Sequence, residues 1–338
     1  MVRYQIMAID LVTGATGLLG GNLVRMLSLQ GRYVRALVRE KADVIYLRSL
    51  PNVELIKGDI TIPSSLTRPL QGVAHVYHCA ALTFLWKGMA AQLQRVNVEG
   101  TKHILQAAAR AGVGRFIHCS SVDALGIPEG KEPATEVTPW NWDRLGVENP
   151  YARTKYEAQK CVLEATGDKL DVVVVNPTTM LGPYDLRPSS GQIILLIAGG
   201  KMPFYPTGGD NFVAVEDVAL GMMAAAEKGH SGACYILGNE NVTYRRIFTR
   251  IADILHQPPP RFRVPYQISR IGGWAGDFIG TLTGKEQTIN SSTVQMGALN
   301  HYYSGQKAVD ELEMPQTSVD AAIERAVQWF YDTGKIVR

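Results

Sequence analysis

At 338 residues with 46% hydrophobic side chains, the chain can bury a large core, as one large domain or two smaller ones. Its 34 basic and 31 acidic residues leave a formal charge of only +3, and no Lys/Arg cluster is interleaved with aromatics, which argues against a nucleic-acid partner. The longest apolar run after the first strand, 193–198, falls far short of the roughly 20 residues that cross a bilayer, so no membrane span is expected.

The N-terminal stretch runs directly into a strand-like segment without an apolar signal region, and a cytoplasmic location is expected. Four cysteines at 79, 119, 161 and 234 include no C-x-x-C pair; they read as buried thiols, with no disulfide framework and no metal site.

In chain order, hydrophobic patterning predicts a strand over 9–13, a helix over 18–30, and strands over 33–38, 53–57 and 75–79. A helix over 90–111, a strand over 115–120, a helix from 150 and a strand over 172–176 follow. Strands separated by helices imply right-handed crossovers and a doubly wound parallel α/β sheet covered on both faces. After Pro177, frequent Pro and Gly mark a change of texture. The chain therefore divides into a dinucleotide-type domain at 1–176 and 208–238, interleaved with a smaller substrate lobe at 177–207 and 239–338. The Gly-rich apolar stretch 271–284 suggests a membrane-touching helix but lacks a basic face, so packing in the smaller lobe or lining its pocket is expected.

The stretch "LVTGATGLLGGNLVRML" places Gly14, Gly17 and Gly20 between a buried strand and an amphipathic helix. The first glycine suits a tight turn, the second close approach to a pyrophosphate, and the third close packing of the helix. The G-x-x-G-x-x-G spacing differs from the common G-x-G-x-x-G fingerprint, and an ordinary tight turn is the alternative. Asp10, inside the first strand, has no explanation in the sequence.

At the end of the second strand NAD would call for an acidic residue; Val38 stands there, followed by Arg39, with Lys41 and Arg35 nearby. A guanidinium at this point suits the 2′-phosphate of NADP, against the alternative of a solvated basic turn. Three further stretches end predicted strands, where open α/β sheets bind ligands: Asp59 with Ile60, Ala80 with Ala81, and Asn176, Pro177 and Thr178.

In "NPYARTKYEAQK", Asn149 is a good N-cap and Pro150 suits the first helical position. Tyr151 and Lys155 then share one helix face, and an ammonium beside a phenol lowers the phenol's pKa toward working pH. An exposed charged face carrying an aromatic is the alternative. The strand ending in Ser120 and Ser121 brings a hydroxyl to the edge where a nicotinamide would lie, which favours chemistry.

With these residues in view, "TGATGLLG", "GDI", "HCAA", "NVEGT", "CSSVDALG", "PYARTK" and "NPTTMLGP" resemble, in order and approximate spacing, the extended short-chain dehydrogenase/reductases of the NAD-dependent epimerase/dehydratase superfamily. The likeness covers nearly the whole chain and is nearest to the dihydroflavonol 4-reductase-like and hopanoid-associated sugar epimerase-like branch. It implies a Rossmann fold with catalytic Ser121, Tyr151 and Lys155, and with Asn97 helping to hold the lysine.

Implied cofactor contacts are Gly14, Thr16, Gly17, Leu18, Leu19, Gly20, Arg39, Asp59, Ile60, Ala80, Ala81, Tyr151, Lys155, Asn176, Pro177, Thr178 and Thr179. NADPH is the preferred cofactor and NAD the alternative. A substrate pocket between the lobes would involve Thr83, Phe84, Ser121, Asp123, Met180 and Phe212, with an apolar lining suited to a small hydrophobic molecule. The expected activity is interconversion of a carbonyl and a secondary alcohol; a nucleotide-sugar epimerase or dehydratase and a non-catalytic cofactor sensor are the alternatives. A homodimer through a four-helix contact is implied by the resemblance alone.

Overall fold

The computed structural model describes residues 8–167 and 170–337; the N-terminal extension lies, in residues 1–7, outside the described residues. The strands in chain order are β1 (Ile9–Thr13), β2 (Tyr33–Val38), β3 (Val53–Lys57), β4 (Val73–His78), β5 (Arg115–Cys119), β6 (Asp171–Pro177), β7 (Thr179–Leu181), β8 (Phe204–Tyr205), β9 (Gly209–Ala214), β10 (Cys234–Leu237), β11 (Glu240–Thr243), β12 (Phe262–Arg263) and β13 (Asn300–His301). The helices that matter below are α1 (Leu18–Leu29), α2 (Gly100–Ala111), α3 (Pro150–Glu164), α4 (Val215–Lys228), α5 (Tyr244–Ile254), α6 (Tyr266–Thr283) and α7 (Ser291–Ala298).

Seven strands form one sheet in the order β10-β6-β5-β4-β1-β2-β3, and every pairing is parallel. This is the doubly wound Rossmann architecture. Alternate strand residues feed two cores. Val12, Ile117 and Val175 pack with α1 and α4 on one face, whereas Leu11, Phe116 and Val174 pack with α2 and α3 on the other. Strand order reverses between β1 and β4, so the crevice at their carboxyl ends is where such a sheet takes a ligand.

Asp10 is explained by its partners. Its buried carboxylate pairs with Arg32, with Nε at 2.6 Å, and accepts at 2.8 Å from Nδ1 of His75. Burying a carboxylate is tolerable only when it is paired and hydrogen-bonded in this way. Arg35 is also committed: it pairs with Glu54 and donates to the carbonyls of Pro69 and Gln71, away from the cofactor edge.

A smaller sheet joins β11, β9, β13 and β7. Thus β9, which the sequence reading grouped with the dinucleotide domain, pairs outside the large sheet, while α4 directly after it packs beneath that sheet. Three of the chain's passages between the two layers are tight: Thr178 alone separates β6 from β7, β9 runs into α4 without a loop, and Gly238 with Asn239 joins β10 to β11; it passes again on either side of the helix Gln306–Leu312, which packs under the large sheet.

Two helices differ from expectation. The helical stretch 90–111 contains a π-turn, Gln94–Glu99, just before α2. In α6 the glycines Gly273, Gly276 and Gly280 face the protein, and the large apolar side chains point outward. The stretch therefore does pack in the smaller lobe, but by its glycines and not by those side chains. The glycine seam leaves no room for anything larger, since a Cβ on Gly276 would lie 1.8 Å from the Ile289 carbonyl oxygen.

Candidate cofactor cradle and active site

The glycine loop sits at the sheet crossover point. Gly14 adopts φ +68°, and a Cβ there would lie 2.7 Å from the backbone of Cys79 and Ala80. Gly17 donates its N–H to the Gly14 carbonyl at 2.9 Å and stands exposed as the N-cap of α1, with no side chain capping the helix. A Cβ on Gly20 would lie 2.3 Å from the Gly14 oxygen, so this glycine fits the helix against its own loop rather than against the sheet. Bare amides at the positive end of a twelve-residue helix fit a diphosphate. Thr16 and Leu18 flank the exposed turn, while Leu19 is buried in the core.

The other expected cofactor residues occupy the same carboxyl edge in different ways. Ala80 and Ala81 follow β4 half-buried, and the Ala80 N–H donates to Thr13 Oγ1. Buried His78 bridges Thr13 and Thr101; burial first, then the Lys155 charge, lowers its pKa to about 3 and holds it neutral. Asp59 accepts from the backbone and hydroxyl of Thr61, shaping its own turn, and Ile60 is buried. Arg39 is exposed at the end of β2, and its side chain has no hydrogen-bond or ion-pair partner among the described residues.

Asn176 acts as a strut. Its Nδ2 donates to the Ser121 carbonyl and to Gln159 Oε1, each at 2.7 Å. Pro177 ends β6, and the buried Thr178 donates its N–H to the Leu237 carbonyl. Thr179 donates to Asp210 at 2.7 Å.

The tyrosine helix forms as its sequence dictates, with the Asn149 side chain accepting from the Ala152 N–H at 3.1 Å and Pro150 in the first turn. Ser121, just beyond β5, accepts from the Asp123 N–H, and its hydroxyl is close enough to the Tyr151 phenol to favour the phenolate. The Ser120 hydroxyl is instead buried without a hydrogen-bond partner among the described residues. Ser121, not Ser120, is therefore the serine whose hydroxyl acts on the phenol.

Lys155 is buried and donates from Nζ to the Cys119 carbonyl at 2.7 Å. Burial lowers its pKa, opposed by Cys119, Cys79 and Asp123. For Tyr151, burial and then the Asp123 carboxylate raise the pKa, with the Ser121 hydrogen bond pulling the other way. The expected acidification of this phenol by Lys155 is absent from the protein alone: the amine is turned to a carbonyl, and desolvation dominates. The phenol is held in its protonated form.

Asn97 lies in the π-turn, accepting from the Leu82 N–H at 2.8 Å and donating to the Leu82 carbonyl and to Thr154. It thus ties the loop after β4 to the tyrosine helix, one residue from Lys155. Within that loop Thr83 is exposed and Phe84 half-buried. Met180 packs partly against the core. Phe212 is misplaced by the sequence reading: its side chain is buried with Leu181, Ile247 and Phe248 beneath the smaller sheet, so it does not line the cleft.

Sequence reasoning missed three features. Asp210 accepts from the Thr179 hydroxyl and the Asn211 N–H, lies beside Tyr244 and feels the charge of Asp123; burial raises both carboxyls to about 7. Arg25 stacks 4.1 Å from the ring centre of Tyr184 beside a hollow lined by Thr16, Gly17 and Tyr46. Glu286 accepts from the N–H groups of Leu85 and Trp86 at 2.7 and 2.9 Å, fastening the loop after β4. None has a local sequence signal, because each depends on elements brought together by the fold.

Residues 11–238 match the model of the NAD dependent epimerase/dehydratase family. The chain belongs to that family. A Synechocystis sp. protein provisionally named dihydroflavonol 4-reductase is 36% identical over 330 residues, covering 96% of this chain and 95% of that protein. Sterol demethylase protein B of Methylococcus capsulatus is 35% identical over 330 residues, covering 96% and 99% respectively. Among solved structures, gox2253 superimposes with a TM-score of 0.86 at 35% identity, covering 97% of this chain and 99% of that one. This family member is an NAD(P)-dependent enzyme of the extended short-chain dehydrogenase/reductase type.

Proposed function

We propose that this family member is an NADP(H)-dependent oxidoreductase interconverting a carbonyl and a secondary alcohol on a small, fairly apolar substrate. The observation that carries the reading is the convergence of the Ser121 hydroxyl and a protonated Tyr151 phenol at the carboxyl edge of the sheet, above the buried Lys155 amine.

The bound nicotinamide would supply or take the hydride at the substrate carbon. Tyr151 gives its proton to the carbonyl oxygen as charge develops there, which suits a phenol that burial keeps protonated. Ser121 donates a hydrogen bond to the same oxygen and positions it. Lys155, anchored on the Cys119 carbonyl, places positive charge beneath the site and compensates the phenolate left after transfer. Asn97 fixes the loop and helix that carry these groups.

Gly14, Gly17 and the first amides of α1 would hold the diphosphate, and the unpaired Arg39 guanidinium would take the 2′-phosphate. The cofactor domain would comprise 1–176 and 208–238 and the substrate lobe the remainder, with β9 shared between the sheets. Dimerisation through α3 and the 90–111 helical segment accompanies this reading. Names given to relatives, a reductase and a sterol demethylase protein, support an apolar alcohol or ketone substrate.

The test is incubation of purified protein with NADPH or NADH and a panel of apolar ketones, alongside nucleotide sugars. Net loss of reduced cofactor with a ketone, abolished for NADPH but not NADH by Arg39→Asp, is the expected result. Turnover of a nucleotide sugar without net cofactor change would replace this reading with an epimerase.

A further inference from the structure

The helix α6 presents its apolar residues the wrong way round for a packed element. At about 100° per residue, Ile268, Ile271, Trp274, Phe278 and Leu282 form one stripe, and the glycine seam that seats the helix lies on the opposite face. Trp274, Phe278 and Leu282 are 59, 66 and 71% exposed, and Ile268 and Ile271 are similarly open. A contiguous row of large apolar side chains on this scale marks a contact surface rather than scattered surface hydrophobes.

Charge at the rim identifies the partner. Arg261 and Arg263 precede the helix, Arg270 flanks the stripe with its guanidinium 5.1 Å from the Trp274 ring centre, and Lys285 follows the last turn. All four are exposed, and none pairs with a carboxylate among the described residues. The acids of this segment are turned inward: Asp277 accepts from the Ser291 N–H, and Glu286 holds the Leu85 and Trp86 amides. The basic flank missing from 271–284 in the sequence is thus supplied from outside that stretch.

We propose that α6 and its flanking arginines form a docking surface for an anionic lipid bilayer, with the helix lying in the interface plane and no segment crossing it. A second copy of the chain fits this face poorly. Laid antiparallel across a two-fold axis, each Arg270 would approach the other copy's Lys285; laid parallel, arginines would meet arginines. A bilayer with negative headgroups satisfies the cations and takes up the rings.

The surface also borders the cleft. Gly280 packs on the Trp86 ring, and Glu286 clasps the loop carrying Thr83 and Phe84. If the apolar-substrate reading above holds, docking here would open the cleft toward a lipid-dissolved substrate.

Vesicle sedimentation of the full chain tests the proposal without cofactor or turnover, so its failure leaves the oxidoreductase reading standing, and the converse also holds. We expect binding to phosphatidylcholine vesicles containing phosphatidylglycerol, weaker binding to phosphatidylcholine alone, and release by added salt. The double variant Trp274→Ser with Phe278→Ser should weaken binding by at least roughly tenfold. The double variant Arg263→Glu with Arg270→Glu should weaken binding to the charged vesicles by a similar roughly tenfold factor. Both alter exposed side chains, so melting temperatures should match the parent. Absence of binding to the charged vesicles, or variants that bind like the parent, would overturn the proposal. So would a parent chain that ignores vesicles but self-associates through Trp274 and Phe278, which would assign the face to a second copy.

Discussion

Tyr151 and Asp210 show how burial sets chemistry one side chain at a time. The phenol is kept protonated by desolvation and Asp123, so under the proposed mechanism Tyr151→Phe removes the proton donor but little else. Turnover should fall by roughly 10²–10⁴-fold while NADPH affinity, read by fluorescence titration, stays near the parent value. Burial disfavours the charge of Asp210 and pushes its carboxyl up to about 7. A carboxyl raised in the folded state binds more protons there than when unfolded, so its contribution to stability falls as pH rises from about 4 to about 7 and stays low above that. Asp210→Asn keeps an acceptor for Thr179 and Tyr244 but removes the charge. Its melting temperature, relative to the parent, should therefore be higher at pH 8 than at pH 5. An equal difference at both values would refute the sign.

The strand-loop-helix unit around Gly14 ties position to function at the next scale. A methyl on Gly20 would meet the Gly14 carbonyl oxygen at 2.3 Å, and that oxygen belongs to backbone that cannot step aside without moving the loop. Gly20→Ala should cost about 1–3 kcal/mol in urea unfolding and weaken dinucleotide binding by about tenfold or more. This element was readable because its determinants are neighbours in the chain; the same holds for the Asn149 cap and the Tyr151/Lys155 face. Periodicity also identified α6 as apolar, but a moment along a helix does not say which face is buried. The better clue lay in Gly273, Gly276 and Gly280 at intervals of three and four, a seam shaped to be covered. Asp10 stayed obscure for another reason: Arg32 and His75 stand 22 and 65 residues away. Asp210 was likewise hidden, because its partners Thr179 and Tyr244 converge only through the pairing of β7 with β9 and the start of α5.

Across the whole molecule, a doubly wound parallel sheet followed from the alternation of elements, whereas its strand order and the arrangement of the smaller sheet depended on pairings such as β9 with β13, across nearly a hundred residues. That arrangement governs how the molecule can move. Joints between rigid bodies need slack, and three of the stitches between the two sheets have almost none: Thr178, the seamless passage from β9 into α4, and the Gly238–Asn239 pair, with Thr178 further laced to Leu237. Clamshell opening would have to stretch all three at once. The radius of gyration from small-angle scattering, about 20 Å for a single chain, should accordingly be unchanged on adding NADPH. Any molecule that reaches Tyr151 must then slip past loops that yield individually, foremost the one clasped by Glu286, so breathing of that clasp rather than a jaw-like swing would set the pace of admission.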